Sequence, residues 1–141
     1  NKMKTANFKT TFFSVLTMLF MSSLFFSCSK DDDGGSNSTY PKDVTIEYKC
    51  TISSGTPSKV EISFTNESGG TEKLTNVILP FSKKISRKVK AYDGASVSFS
   101  AFGPGGIKGE IYVDGKLINT KTASSNSETS SFNDIVSYIW R

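Results

Sequence analysis

The chain has 141 residues, with 17 lysines and arginines against 13 acidic residues, and it contains no histidine. The lack of histidine excludes Ser-His-Asp and Cys-His nucleophilic sites and histidine-based zinc sites, and it removes the commonest general base. We therefore expect one small domain that is not an enzyme and holds neither a cofactor nor a metal.

The first 28 residues follow the order of a lipoprotein signal peptide. Positive charge at residues 4–9 precedes an apolar run over 12–26, and the small residue Ser27 stands before Cys28. Serine and threonine interrupt this run, which is poor as a membrane span of roughly 20 mostly apolar residues. The order resembles bacterial lipoprotein leaders, which are cut before a cysteine that becomes lipidated. The resemblance implies that residues 1–27 are removed and that Cys28 is the lipid attachment site.

An uncleaved anchor helix with an incidental cysteine is the alternative for the same segment. Residues 29–43 are too polar to fold, so we predict that 28–43 is a lipidated cysteine followed by a flexible tether. Four residues resemble the surface-export tether of Bacteroidota lipoproteins: Lys30, Asp31, Asp32 and Asp33. The alternative interpretation is that these four residues are only part of a solvated linker. The implied location is the outer membrane, with the domain lipid-anchored at the cell surface.

Loss of the leader changes both the charge and the meaning of the second cysteine. Three lysines and no acidic residue leave with residues 1–27, so 114 residues remain with a net charge of +1. A nucleic-acid partner, which would need a basic footprint, is not expected. Once Cys28 is lipidated, Cys50 has no intrachain partner, which indicates burial or intermolecular pairing. Cys50 lies on the apolar face of an alternating segment, so we predict a buried core residue.

Residues 44–141 alternate between apolar and polar side chains at the period of a β-strand. The predicted strands are Val44–Ile52, Lys59–Thr65, Glu72–Leu79, Lys83–Ala91, Ala95–Phe102, Lys108–Val113 and Lys116–Asn119. Turns are predicted at Asn66–Thr71 and at Gly103–Gly106. Phe132–Trp140 fits either a helix or a strand, and its β-branched and aromatic content favours a closing strand. About seven strands predict an all-β fold, a small antiparallel two-sheet β-sandwich of the immunoglobulin-like kind.

A short hairpin joins two of these strands. Asp114-Gly115 favours a type I′ turn, because both positions tolerate a positive φ. That turn would pair two sets of residues, Ile111 with Ile118 and Tyr112 with Leu117.

Three lysines share one face of the strand predicted over 83–91. Lys84, Lys88 and Lys90 lie on that face, and Arg87 lies on the other. One interpretation is a basic contact stripe for lipid headgroups, anionic glycans or an acidic partner. The other is an edge strand whose lysines prevent sheet-to-sheet aggregation.

Two segments together resemble the mycobacterial membrane protein S (MmpS) family. They are Asn76–Lys83, with the letters LPFS, and Gly109–Lys116, with the letters IYVDG. The resemblance covers residues 44–120 and implies a small β-sandwich that assists an RND-type transporter exporting lipids or siderophores. Family members are held by a transmembrane helix, whereas this chain carries a lipoprotein leader. They often have a cysteine where Gly109 stands, so any disulfide of that kind is absent here.

These observations predict a non-catalytic, lipid-anchored envelope protein that works by binding. The first hypothesis is an accessory domain of an envelope complex, such as a transport complex. The alternative is a surface recognition module for a glycan or a host protein. Either way, we expect a monomeric domain that meets the membrane through its lipid anchor.

Overall fold

The computed structural model describes residues 39–141, which form eight β-strands in two antiparallel sheets. The predicted lipidation site and export tether, Cys28 and Lys30–Asp33, lie outside these residues. The strands are β1 (Lys42–Gly55), β2 (Ser58–Thr65), β3 (Thr71–Leu74), β4 (Phe81–Val89), β5 (Gly94–Phe102), β6 (Gly105–Val113), β7 (Lys116–Ser125) and β8 (Ser131–Ile139). Sheet A has the order β4-β1-β6-β7 and sheet B the order β3-β2-β5-β8. The predicted two-sheet β-sandwich is confirmed.

The core lies between the sheets and is built from the alternating apolar positions of the strands. Ile46, Tyr48 and Cys50 of β1 are fully buried, as the period-two pattern predicted. They face the inner residues of sheet B, where the rings of Tyr48 and Phe64 lie 5.6 Å apart. Ile52 was predicted on the same face but is 51% exposed. It precedes a register shift at the end of β1, beyond the part of the strand that the other sheet covers.

The folded domain begins before the first alternating residue of the sequence. Lys42 and Asp43, assigned above to the tether, are the first two residues of β1 and pair with β4. Tyr40 packs against the core, and its hydroxyl donates a hydrogen bond to the Arg141 carbonyl at 3.1 Å.

The third strand is shorter than predicted, since it ends at Leu74 and not at Leu79. Asn76 adopts a left-handed conformation, with φ of 53°, which breaks the extended backbone. The chain then returns to β2, where the Val77 amide donates to the Val60 carbonyl at 2.9 Å. Val77 and Leu79, which suggested a longer strand, instead pack against the core from a loop, while Ile78 between them points to solvent.

The β6–β7 hairpin has the predicted turn but a different register. Asp114 and Gly115 both have positive φ, 50° and 80°. Tyr112 pairs with Leu117 as predicted, whereas the pairing of Ile111 with Ile118 was wrong, because Ile111 faces Asn119. Ile118 is the extra residue of a β-bulge.

The sequence predicted a turn at Gly103–Gly106 and left Phe132–Trp140 open between a helix and a strand. Phe132–Trp140 is the closing strand β8, which pairs with β5 along its length. Of the predicted break Gly103–Gly106, only the first two residues form the turn, and Gly105-Gly106 begins β6.

The connections sort to opposite ends of the sandwich. The chain enters β1 at one end, beside the turns at 66–70, 90–93 and 114–115; we call this the tether end. Hydrogen bonds join its parts, such as Trp140 N to Asp93 O at 3.0 Å. The loops at 56–57, 75–80, 103–104 and 126–130 form the other end, which we call the loop end.

Glycines bring two turns of the loop end into backbone contact. A Cβ on Gly55 would lie 2.7 Å from the Gly105 Cα, and one on Gly106 would lie 2.6 Å from the Ser53 hydroxyl. The Thr56 amide donates to the Pro104 carbonyl at 3.2 Å across the same contact. The β1–β2 and β5–β6 turns therefore interlock at a distance that only glycine allows.

Candidate binding surfaces

The predicted basic stripe lies on an edge strand. Lys84 and Lys88 point outward from β4, the first strand of sheet A, while Lys90 follows the strand in the β4–β5 turn. Lys88 lies 3.8 Å from Asp43, and Lys84 stands opposite Glu47 on β1. The two strand lysines therefore face carboxylates, and this location is the one expected for the edge-protecting interpretation.

Arg87 faces the other way, as predicted, and performs a structural task. Its side chain is only 12% exposed, and its Nη1 donates to the Gly94 carbonyl at 2.8 Å. Its Nη2 lies 3.5 Å from Asp93, whose carboxylate also accepts the Lys90 amide at 2.9 Å. Arg87 thus ties the edge of sheet A to the start of β5 at the tether end.

Opposite charges alternate over the outer face of sheet A. Lys49 lies 3.5 Å from Glu47 and 4.5 Å from the centre of the Tyr112 ring. Slight desolvation would raise the pKa of Glu47, but a hydrogen bond from Ser82 and the charges of Lys49 and Lys84 lower it overall. This face therefore presents paired charges instead of a field of one sign.

The free thiol is buried, and several carboxylates of the sheets are paired with lysines. Burial, and then the charge of Glu110, raises the pKa of the Cys50 thiol to about 12, so it stays protonated at neutral pH. Glu47, Glu61 and Glu110 each lie within 3.5 Å of a lysine ammonium. Among residues 39–141, no three metal-binding side chains come together.

A shallow depression of about 370 Å³ lies on the outer face of sheet B. Its floor carries the serines Ser63, Ser98 and Ser100, and we call it the serine groove. Two aligned rows of residues cross it. One runs Lys73, Ser63, Ser98, Ile135, and the other runs Glu61, Ser100, Asn133.

The groove exists because small side chains on the central strands lie between larger ones on the flanks. Lys73 and Glu61 form an ion pair of 2.9 Å on one side, and Ile135, 49% exposed, stands on the other. Within the part of the chain that the structure describes, the three floor hydroxyls bond to no other protein group. By contrast, Ser96, the next outward residue of β5, shares a 3.2 Å hydrogen bond with Thr65. The floor therefore offers hydroxyl groups that are free to bind a ligand.

The loop end is nearly free of charge. Its four connections contain one charged residue, Glu128, among serine, threonine, asparagine, glycine and proline. Ile78 projects from the β3–β4 loop and is 89% exposed, more than any other large apolar side chain in residues 39–141. Single exposed apolar side chains are ordinary on protein surfaces, whereas contiguous apolar patches mark contact sites.

The two MmpS-like segments meet in the middle of sheet A. Phe81 of the first and Gly109 of the second pair with Cys50 from opposite sides. A Cβ on Gly109 would lie 2.7 Å from the Phe99 ring and 3.0 Å from Val136. Of these two segments, residues 81–83 and 109–113 lie in strands of sheet A, whereas 76–80 and 114–115 lie in a loop and a turn.

No family model and no curated protein matches the chain. In residues 39–141, no helix is long and apolar enough to cross a membrane.

The serine groove was not foreseen from the sequence. The alternation of β5 set Ser96, Ser98 and Ser100 on its solvent face, which is ordinary for a half-buried strand. Only the pairing of β5 with β2 and β8 aligns them with Lys73, Glu61 and Ile135. A solvent face with serine at three successive outward positions was the available signal.

Proposed function

We propose that this protein is a non-catalytic, lipid-anchored binding protein of the bacterial outer membrane, which presents its sandwich to the cell exterior. Acyl chains on Cys28 hold it in the bilayer, because two or three chains anchor a protein stably without a transmembrane helix. The segment after Cys28 carries the domain, and ligands bind to the outer face of sheet B and to the loop end.

The observation that carries this proposal is the position at which the chain enters the fold. Thr39–Lys42 lies at the tether end, and β1 then runs for 14 residues toward the loop end. A strand of that length spans about 45 Å. The 11 residues from Cys28 to Thr39 reach at most roughly 40 Å. An anchored domain would therefore hold its tether end toward the bilayer and its loop end away from it.

The anchor is tested by replacing the lipidated residue. Cys28→Ala should move the protein from the membrane fraction to the soluble periplasmic fraction, or leave an uncleaved precursor. Cys50→Ala is the matched control, since it removes the other thiol and should leave fractionation unchanged. Mass spectrometry of the native protein should show acyl chains on residue 28. An unmodified thiol there, with unchanged membrane retention of Cys28→Ala, would refute the proposal.

Display at the surface is a separate test. Replacing Asp31, Asp32 and Asp33 with asparagine should lower the fraction that protease removes from intact cells, if these charges direct export. Equal removal from both variants would mean that the acidic run is only a linker.

A second candidate function is an accessory domain of an envelope complex. Ile78 is the residue that such a contact would cover first, because it is 89% exposed at the loop end and would lose the most apolar surface to water on binding. A photo-crosslinking residue at position 78, introduced in native cells, should then capture one defined protein. Position 92, occupied by the 83% exposed Tyr92 at the tether end, is the control. Capture of the same proteins from both positions would argue against a specific partner at the loop end.

A further inference from the structure

We propose that the serine groove is a binding site for a neutral oligosaccharide. This inference rests on the proposed binding function, because it names the class of ligand that the outer face of sheet B would take. It does not depend on the lipid anchor.

The charged side chains of the groove are all paired. Three charged residues line it, Glu61, Lys73 and Asp134. Glu61 and Lys73 are paired with each other at 2.9 Å, and Asp134 is paired with Lys121 at 3.2 Å. The remaining side chains along its two rows are serine, asparagine and isoleucine. The groove thus has no excess of either sign, so it offers nothing to attract an anionic or cationic ligand over a neutral one.

The polar side chains of the groove can both donate and accept hydrogen bonds. Each of the three floor hydroxyls can donate one hydrogen bond and accept others, and the Asn133 amide can do both. Sugar hydroxyls have the same double capacity. The exposed side of Ile135 supplies an apolar surface, which matches the C–H face of a sugar ring. Together they provide the few convergent polar groups and the apolar wall that are typical of a small-ligand site.

The dimensions of the groove suit a short linear sugar chain. Neighbouring rows lie about 6.8 Å apart along the strands, and four strands span about 14 Å across. The groove volume, about 370 Å³, is at the small end of the range for ligand sites. The next outward residue of β5 after Ser100 is Phe102, whose ring faces Lys59 at 5.3 Å. A linear sugar chain lying along β5 would reach from Ser98 to this aromatic ring.

Two other ligands fit less well. A peptide that extends a sheet needs an unpaired strand edge, but β2 and β5 each have a neighbour on both sides. A lipid chain needs an apolar channel, whereas this floor is made of hydroxyl groups.

The test is calorimetric titration of the full-length protein with linear neutral hexasaccharides of glucose, mannose and xylose. A zwitterionic detergent is required, because maltoside detergents themselves carry a sugar. We expect saturable binding of at least one hexasaccharide with a Kd below about 5 mM, and at least tenfold weaker binding by Ser98→Ala. Ser86→Ala, which removes an exposed hydroxyl from the outer face of sheet A, should bind as the parent protein does.

A matched pair on β8 tests the location. Ile135 and Ile139 point outward from the same strand and are 49% and 52% exposed, but only Ile135 lies in the groove. Ile135→Asn should weaken binding at least fivefold, and Ile139→Asn should not. No binding by any of the three sugars, or equal losses in both variants, would overturn the proposal. Preferred binding of polygalacturonate, which is an anionic polysaccharide, would also overturn the proposal. Capture of a protein by a photo-crosslinker at position 135 would overturn it as well. Fractionation of Cys28→Ala tests the anchor independently of all these results.

Discussion

Gly109 allows a sharp test of how the two sheets pack. A methyl group on this residue would lie 2.7 Å from a Phe99 ring carbon and 3.0 Å from the Val136 side chain. Both neighbours are buried, so neither can move freely into solvent. Overpacking of this kind costs about 1–3 kcal/mol. Replacing glycine with alanine also restricts the unfolded chain, which offsets about 0.4–1 kcal/mol.

We therefore expect Gly109→Ala to lower the free energy of unfolding by about 1–2 kcal/mol. In a domain of this size, that change lowers the Tm by about 5–15 °C, measured by circular dichroism or calorimetry. Gly94→Ala is the matched control, because it is also a strand glycine but its Cβ would meet only the Tyr138 carbonyl, at 3.8 Å. That variant should be as stable as the parent or slightly more so.

A second substitution separates the clash from other causes. Phe99→Leu removes the ring edge that the new methyl group would meet. The double variant should be more stable than the sum of the two single changes predicts, by at least about 1 kcal/mol. Additive effects, or a Gly109→Ala protein as stable as Gly94→Ala, would contradict the packing described for this part of the core.

Three further predictions concern buried and edge groups. Burial raises the pKa of the Cys50 thiol to about 12, so its contribution to stability is complete below about pH 9 and is lost as the pH rises toward 12. Above pH 9 the free energy of unfolding should therefore fall with a slope that approaches about 1.4 kcal/mol per pH unit. Cys50→Ala should remove this fall, as measured between pH 9 and 10. The Tyr48 hydroxyl is buried near Thr65 but makes no well-formed hydrogen bond within residues 39–141, because the Thr65 hydroxyl is bonded to Ser96. Tyr48→Phe should therefore raise the free energy of unfolding by about 1 kcal/mol. Asp93→Ala should lower it by about 1–3 kcal/mol, since it leaves the Lys90 amide without its carboxylate acceptor and Arg87 without its ion pair.

Each of these predictions has a clear contrary result. If the free energy of unfolding of Cys50→Ala falls above pH 9 as steeply as that of the parent protein, the thiol is not buried. Rapid labelling of the folded parent protein by a thiol reagent at pH 8 would lead to the same conclusion. A destabilised Tyr48→Phe would mean that the hydroxyl has a partner. Asp43→Ala is the control for Asp93, because its ion pair with Lys88 spans 3.8 Å between exposed groups and is worth at most about 0.5 kcal/mol. Equal effects of the two aspartates would contradict the role given to Arg87.

The sequence was most informative where one strand face is buried. In β1, β2 and β5, apolar residues alternate with polar ones, so the strands and their inward faces could be predicted residue by residue. The same pattern misled at residues 75–79, where Val77 and Leu79 reach the core from a loop. Alternation reports burial, and it cannot distinguish a strand from a loop that folds back onto the core.

Register and surface sites depend on information that local patterns do not contain. The bulge at Ile118 is visible only in the pairing of β6 with β7, and the alternation of residue types along β7 does not indicate it. The serine groove combines four strands that are far apart in sequence, from Glu61 to Ile135. Its residues became a site only once β2, β5 and β8 were known to be neighbours.

The interlocked glycines of the loop end restrict how this molecule could acquire new specificities. Since the turns at 56–57 and 103–104 touch through their backbones, an insertion into either would push the other aside. The connection at 126–130 is longer. One backbone hydrogen bond, from the Gly103 amide to the Ser130 carbonyl at 3.0 Å, joins it to the neighbouring turn, and its other hydrogen bonds are local, such as Ser127 with Thr129 at 3.2 Å. A grafted loop or epitope would therefore be best tolerated there, at the opposite end of the sandwich from residues 39–42.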